Sequence, residues 1–391
     1  MIKNLVNAKN IIKNSRVLAR FDYNVPLSKT GIILDDSRIV ASKTTINEIL
    51  SYKPAVLTII SHLGRPNGLY DSSLSLLPIS NNLSKKINRR VHFSEIITDS
   101  PNGTILLKEN IRFSVGEEEN DDEYAKYLST LGDVYINDAF SVCHRKHASV
   151  SSIYKYFDND KIFTGNSINN EINILDKLRN NPPRPFITIL GGLKVSDKIV
   201  AIKKLLKISD KILIGGAMSY CFLKAKGYNV GNSPSDAGDV KLARRLLDLD
   251  TDNKIILRVD HVVSNMEEGP ESPEKSYIIN NRNIPDGVEG FDIGPATIDL
   301  FTEHLKTAKS VFWNGPLGFS EIEEYSYGTN NIANALYNNS NIELCVVGGG
   351  DSVSAFKKMG YLEKNEVKFL TGGGAAMEYL GNGELPGLKL Y

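Results

Sequence analysis

The stretch FITILGGLKVSDKIVAIKKLLK (186–207) decides the fold. Its first five residues form a continuous apolar run, as expected of a strand covered on both faces of a parallel sheet. Gly191-Gly192 then breaks the run, and Val195, Ile199, Ile202 and Leu206 recur at helical spacing across Lys194 to Lys207. Strand, tight turn and helix make one unit of an α/β fold, in which parallel strands need crossover connections.

The unit repeats outward in both directions. Toward the C-terminus the runs are Lys211 to Ile214, Lys254 to Val259, Ser310 to Trp313, Glu343 to Val347 and Val367 to Leu370; toward the N-terminus they are Val17 to Phe21, Ala55 to Ile60, Thr104 to Leu107 and Val134 to Ile136. With 391 residues the chain exceeds what one core fills. The expected architecture is α/β, with two similar-sized three-layer lobes, each a mainly parallel sheet flanked by helices. Asn166 to Arg179 carries Ile168, Ile172, Leu175 and Leu178 on one helical face and is ended by Asn181-Pro182-Pro183, so it reads as a helical hinge between the lobes.

Forty-six Lys plus Arg balance 46 Asp plus Glu, so no global field draws the protein to nucleic acid or an anionic membrane, and any anion site is local. Cys143, Cys221 and Cys345 are far apart and form no CxxC; neither a disulfide framework nor a zinc site is suggested, and a reducing compartment fits. The chain has no secretory h-region and no run of 18 apolar residues, so a cytoplasmic location is expected.

In open α/β sheets ligands bind past the carboxyl ends of the strands, and there the halves differ. First-half runs lead into DYNVP (22–26), SHLGRP (61–66), KENIRF (108–113) and NDAFSVCHRKH (137–147), which bring Arg65, Arg112, Arg145, His62, His144, Asp22 and Asn24; Arg38 joins this set. Second-half runs lead into GGLK (191–194), GGAM (215–218), NGPLG (314–318), GGGDS (348–352) and TGGGA (371–375). A lone arginine is more often a solvated surface group, and a lone GG more often a tight turn. Several arginines at strand ends suit a small, multiply anionic substrate, because guanidinium forks match carboxylate and phosphate oxygens. Repeated glycine turns opening helices suit phosphate, which free backbone N–H groups and the helix dipole attract.

No GxxxxGK[ST] is present, and no strand leads into GxGxxG, so neither a P-loop nor a dinucleotide fingerprint is supported. Lys194 and Lys198, four apart at a helix start, are either solvated or placed for an anion. Asp351 is either an N-cap or a ligand for Mg²⁺, which needs few protein oxygens. Glu321 is an exposed helix-start residue by default and a sugar-hydroxyl acceptor by function. Cys143 and His144 are adjacent, and on an extended segment adjacent side chains diverge, so a thiol-imidazole nucleophile is not expected.

Over essentially its whole length the chain resembles the phosphoglycerate kinases. The resemblance rests on RFDYNVP (20–26), DDSRI (35–39), SHLGRP (61–66), ENIRF with GEEEND (109–121), GDVYINDAF with CHRKHAS (132–149), GGLKVSDKI (191–199), IPDGVEGFDIGP (284–295), WNGPLG (313–318), VVGGGDS (346–352) and TGGGA with LPG (371–387). It implies reversible Mg²⁺-dependent phosphoryl transfer from 1,3-bisphosphoglycerate to ADP, giving 3-phosphoglycerate and ATP, in glycolysis or gluconeogenesis, by a monomer. It also implies a substrate domain at 1–165 with the tail 377–391 packed back on it, an interdomain helix at 166–181 and a nucleotide domain at 182–376.

By the same resemblance Asp22, Tyr23, Asn24, Arg38, His62, Leu63, Gly64, Arg65, Arg112 and Arg145 bind the glycerate substrate. Lys198, Gly215, Gly216, Glu321, Gly349, Gly350, Asp351 and Ser352 bind the nucleotide, Asp351 also holds the metal, and Arg38, Lys194, Gly350 and Gly373 act in catalysis. The lobes are expected to close so that the reactants meet in line and water is expelled. Ala217 stands where the family usually has a third glycine, Leu193 where it usually has Ala, and Ser141 and Lys146 where small residues are usual. Two rival readings remain: a silent nucleotide-binding paralogue, against which intact Arg38, Lys194, Lys198 and Asp351 argue, and a nicotinamide oxidoreductase, which lacks its glycine fingerprint.

Overall fold

Strands of six residues or fewer carry the sheets among the described residues, and those at the centres of the two parallel sheets are buried on nearly every position. The computed structural model describes residues 2–93, 102–265, 270, 272–370 and 372–390; Thr371, which opens the last glycine turn, lies outside them. The chain divides into two units, Met1–Asn173 with Glu384–Tyr391, and Ile174–Gly383.

In the first unit β1 (Lys3–Asn4), β2 (Arg16–Arg20), β3 (Val56–Ile60), β4 (Val91–Phe93), β5 (Thr104–Leu107), β6 (Val134–Asn137) and β7 (Ile162–Thr164) run parallel in the order β1-β7-β6-β2-β3-β5-β4. Alternation sends Val17, Ala19, Leu57 and Ile59 to one face, packed against Ile39, Ile46 and Ile49 of the helix Ser37–Ser51. Leu18, Ile60 and Tyr135 go to the other, against Ala125 and Leu128 of the helix Asp122–Ser129. Each such aliphatic residue contributes about 1.5–3 kcal/mol by burial. The order places the ends of β6, β2, β3 and β5 side by side, and these four ends carry the basic segments.

The hinge helix spans Asn166–Asn180, and the division between the units falls within it. Its first turn is capped from a distance: the Asp138 carboxylate accepts from the Ile168 N–H at 3.1 Å, Ser167 Oγ at 3.1 Å and Thr45 Oγ1 at 2.6 Å. Burial nonetheless pushes the Asp138 pKa up to about 7, against the pull of those donors.

The second unit contains β8 (Phe186–Leu190), β9 (Lys211–Ile214), β10 (Ile255–Leu257), β11 (His261–Asn265), β12 (Tyr277–Ile279), β13 (Val288–Ile293), β14 (Ser310–Asn314), β15 (Leu344–Gly348) and β16 (Val367–Leu370). Six form a parallel sheet in the order β10-β9-β8-β14-β15-β16. Ile187, Ile189, Val311, Trp313 and Val347 pack against the helices Pro295–Lys306 and Tyr327–Tyr337. On the other face the helices Ile199–Ile208 and Gly373–Asn382 approach so closely that a Cβ on Gly381 would lie 3.2 Å from Ala201 Cα.

Four sequence expectations change. The short strands β1, β4 and β7 were not anticipated, nor was the antiparallel sheet β12-β11-β13, where buried His261 and Ser264 interrupt any apolar run. The helix after β8 begins at Ile199 rather than Lys194, because Asp239 of the helix Ala237–Leu249 captures the N–H groups of Val195 at 3.2 Å and Ser196 at 3.0 Å. Position 377 falls inside the helix Gly373–Asn382, so the returning tail is Glu384–Tyr391. That tail is pinned where Gly387 N–H donates to Cys143 O at 2.8 Å and Tyr154 Oη donates to Gly387 O at 2.5 Å.

Candidate active site

The first unit builds its site on a buried polar frame. Arg20, the last residue of β2, is fully buried and spends its guanidinium on Ser149 Oγ at 3.0 Å, on Phe21 O, and on His62 Nδ1 at 3.0 Å. Ser149 Oγ donates in turn to buried Glu117 at 2.6 Å. Arginine only donates, so His62 Nδ1 accepts and the ring proton sits on Nε2. Burial, and then Arg20, Arg112 and Arg38, hold the His62 pKa well below the ordinary value, with Asp22 pulling the other way. His62 is therefore a neutral donor at pH 7 and not one of the cations. His144 follows it, lowered to about 4 by burial and by Arg145.

Asp22 is the anion of this frame. Its carboxylate pairs with Arg38 Nη1 at 2.6 Å and accepts from Ser141 Oγ and, at 2.9 Å, from Asn24 N–H. Burial alone would raise its pKa; Arg38, the His62 site and these hydrogen bonds outweigh that and hold it below the usual carboxylate range. Ser141, a departure from the family pattern, thus supports the site. Asn24 Oδ1 accepts from Gly64 N–H at 2.9 Å, and Arg112 Nη1 donates to Gly64 O at 2.7 Å, fixing the loop after β3. Arg112 is buried, with Glu118 3.4 Å from its Nε; burial brings its pKa down to about 10, so it stays cationic at neutral pH. Arg65 is exposed and Arg145 half-buried, and neither guanidinium has a hydrogen-bond or ion-pair partner among the described residues.

Two sequence candidates are corrected in kind. The side chains of Tyr23 and Leu63 belong to the apolar core, and Tyr23 Oη is engaged with Ser42 at 3.1 Å, so any contact they make with a ligand would be through backbone. Arg20, Glu117 and Ser149 were missed. A charged residue ending the otherwise apolar run VLAR was the signal for Arg20; nothing in the sequence pairs it with positions so far downstream.

The second unit builds with backbone. A Cβ on Gly191 would lie 1.9 Å from Pro316 O, so part of the glycine richness serves close packing of strand-end loops rather than ligand contact. Gly349, at φ +97°, turns the chain from β15 into the helix Gly350–Lys358. Neither this helix nor Gly373–Asn382 has a side-chain N-cap hydrogen bond, and the N–H groups of Gly350, Asp351 and Ser352 have no partner among the described residues. Added atoms at Gly350 would meet nothing within 4 Å, whereas a Cβ on Gly373 would sit 2.5 Å from Gly349 Cα. The two helix starts are thus packed together behind an open surface at Gly350.

Around this surface the sequence candidates fall into two groups. Gly192, Gly216, Ala217, Leu193, Glu321 and Asp351 line one cleft of about 430 Å³, together with Phe291, Phe319 and Pro316. Gly215 lies behind it, with the space for a Cβ taken by Leu317 at 2.5 Å. Lys194 is exposed in the loop ahead of the helix and has no side-chain partner among the described residues. Lys198 points inward, its Nζ donating to Gly191 O at 2.6 Å and Asn314 O at 3.4 Å. Burial lowers its pKa to about 8, against Asp197 and Asp351. Ser352 Oγ also turns inward, accepting from Gly315 N–H at 2.8 Å, so its backbone rather than its hydroxyl faces outward. Cys143 is buried with its thiol pushed up to about 12, as befits a core residue and not a nucleophile.

A family model for phosphoglycerate kinase matches residues 7–383. The phosphoglycerate kinase of Finegoldia magna is 43% identical, with 96% of each chain covered, and that of Thermosipho africanus is 41% identical, with 96% of this chain and 95% of that one covered. The solved phosphoglycerate kinase of Coxiella burnetii superposes with a TM-score of 0.78 at 32% identity over 97% of this chain and 96% of that one. That of Pyrococcus horikoshii gives 0.82 at 25% identity over 99% and 98%. Matched in sequence nearly end to end, and in fold over both units, this chain belongs to the phosphoglycerate kinase family.

Proposed function

We propose that the chain is an active phosphoglycerate kinase in which the first unit binds the glycerate and the second the nucleotide. The reaction moves a phosphoryl group reversibly between the acyl phosphate of 1,3-bisphosphoglycerate and ADP. The attacking group is already an anionic oxygen, a carboxylate in one direction and a phosphate in the other, so no general base is required. The work left to the protein is to position the reactants and to neutralise charge on the oxygens in transfer.

On the glycerate side Arg65 and Arg145 offer free guanidinium forks, Arg112 a buried positive charge, His62 a neutral N–H and Asn24 an orienting amide. Arg38 pairs with Asp22 and is the cation assigned to the phosphoryl oxygens. On the nucleotide side the amides of Gly350, Asp351 and Ser352, with those of Gly372 to Gly374, meet phosphate oxygens, Lys194 supplies a mobile charge, and Glu321 accepts from ribose hydroxyls. The donor and acceptor oxygens must be in line, so turnover requires both units to present their ligands to a common point.

Asp351, a carboxylate exposed at the helix start beside the cleft, would suit Mg²⁺, which keeps waters and needs few protein oxygens. When bound, it would offset phosphate charge. Three buried cysteines, none of them in a disulfide, support a reducing compartment.

The observation that most supports this reading is the pair of uncapped helix starts beside a cleft lined by Asp351 and Glu321. A coupled assay with ATP, Mg²⁺ and 3-phosphoglycerate tests it. Turnover is expected, and its absence at millimolar substrate would favour a silent nucleotide-binding paralogue.

A further inference from the structure

The cleft beside Ala217 holds one carboxylate for which phosphate transfer has no use. Along β13 buried and half-buried residues alternate, so Glu289 and Phe291, two positions apart, share the face that lines the cleft of about 430 Å³. Most of the surrounding lining is apolar or small: Leu193, Ala217, Pro234, Pro316 and Phe319. β13 is an edge strand of its sheet, where a glutamate ordinarily faces water and blocks strand addition. Glu289 does not have that environment, since burial raises its pKa with no compensating partner.

No described residue donates to it. Ser264, directly opposite on β11, leaves its Oγ without a hydrogen-bond partner, and the nearby Tyr220 hydroxyl is taken by Arg258 Nη1. The charge of Glu289 also acts on the Tyr220 phenol, another group lining the cleft. A half-buried acceptor with no donor among the described residues, two residues from a phenyl ring on the same face, has the form of a reader for a flat ligand carrying N–H groups on its edge.

We infer that Glu289 recognises the base of the nucleotide, given that the cleft takes the nucleoside end as proposed above: a purine lies against Phe291 and its edge donates an N–H to the carboxylate. Adenine offers its exocyclic amine. Guanine offers N1–H and its amine side by side, a pair that matches both carboxylate oxygens. A purine with bare carbons at its 2- and 6-positions offers nothing and leaves the carboxylate desolvated.

Calorimetric titration of the full-length protein with ADP, GDP and purine ribonucleoside 5′-diphosphate tests this, in the native form and in Glu289→Met and Glu289→Gln. One charge-assisted hydrogen bond sets the scale at about tenfold. The native protein should bind ADP and GDP about tenfold more tightly than the bare purine; Glu289→Met should level the three, and Glu289→Gln, which keeps an acceptor, should restore part of the difference. If Glu289→Met weakens all three equally, the residue shapes the cleft and does not read the base, and the inference is overturned. A third variant, Ala217→Trp, separates the two layers. Filling the cleft should abolish nucleotide binding; unaltered ADP binding would remove the nucleotide from this cleft and the base reading with it.

Discussion

The two candidate anion sites are made of different material. In the first unit Arg20, Arg38, Arg112 and Asp22 lie wholly or partly out of water, each held by named partners, and the site is inseparable from the polar frame beneath the sheet. In the second the cations are few, and the exposed ones are loosely held; the anion-binding groups are N–H dipoles fixed by helix geometry. A side-chain site binds strongly and selectively, but its charges also carry stability. A backbone site carries no ion whose burial must be offset in the fold, and its exposed lysine can be lost without unfolding anything.

Substitutions should separate these two behaviours. The largest effect is expected for Arg38→Met, which removes a charge on the transferring oxygens and leaves Asp22 buried without its cation. Turnover should fall by about a thousandfold, and unfolding free energy by about 3 kcal/mol, measured by denaturant titration. Adding Asp22→Asn should recover stability but not turnover. Recovery of both would show that Arg38 serves the fold alone.

Next comes Lys194→Ala. The side chain is exposed and unpartnered, so kcat should drop about a hundredfold while the thermal midpoint and ADP affinity hardly change. Matching losses in kcat and ADP affinity would reassign the lysine to ground-state binding.

A smaller contrast appears on titration. Lys198, lowered to about 8, gives up its proton as pH rises through that value, so nucleotide binding should weaken several-fold between about pH 7 and 9. Lys198→Met should flatten this profile. Glycerate binding should stay level across the same window, because Arg112, the lowered arginine of that site, titrates only near 10. The sign for stability is opposite: a lysine depressed in the folded state destabilises the fold at neutral pH, and that penalty is relieved as pH rises above 8. The smallest effect belongs to Glu321→Gln, where a single exposed hydrogen bond should alter the ADP KM by about fivefold. A 2′,3′-dideoxy nucleotide should be insensitive to the change.

The sequence made the parallel strands legible because each is an apolar run followed by a turn, and FITIL and TILL match their strands end to end. It concealed what depends on distant partners. The helix after Gly191-Gly192 starts late because Asp239 takes two amides, and no local pattern announces that contact. β11 stayed hidden because His261 and Ser264 are buried polar residues in a five-residue strand. At the candidate site the chemistry of the motif residues was not always readable. His62 is neutral because it is buried and, next, because Arg20 lies against it, Tyr23 and Leu63 face the core, and Ser352 and Lys198 turn inward onto loop backbone. Sequence gave the neighbourhood of each group, while orientation and protonation followed from packing.

Amide hydrogen exchange with each ligand alone probes the division of labour between the units most directly. 3-Phosphoglycerate should protect only amides at 22–24, 62–65, 112 and 145, and ADP only those at 192, 216–217, 349–352 and 372–374. Protection of the arginine-bearing loops by ADP, or of the glycine turns by 3-phosphoglycerate, would contradict it.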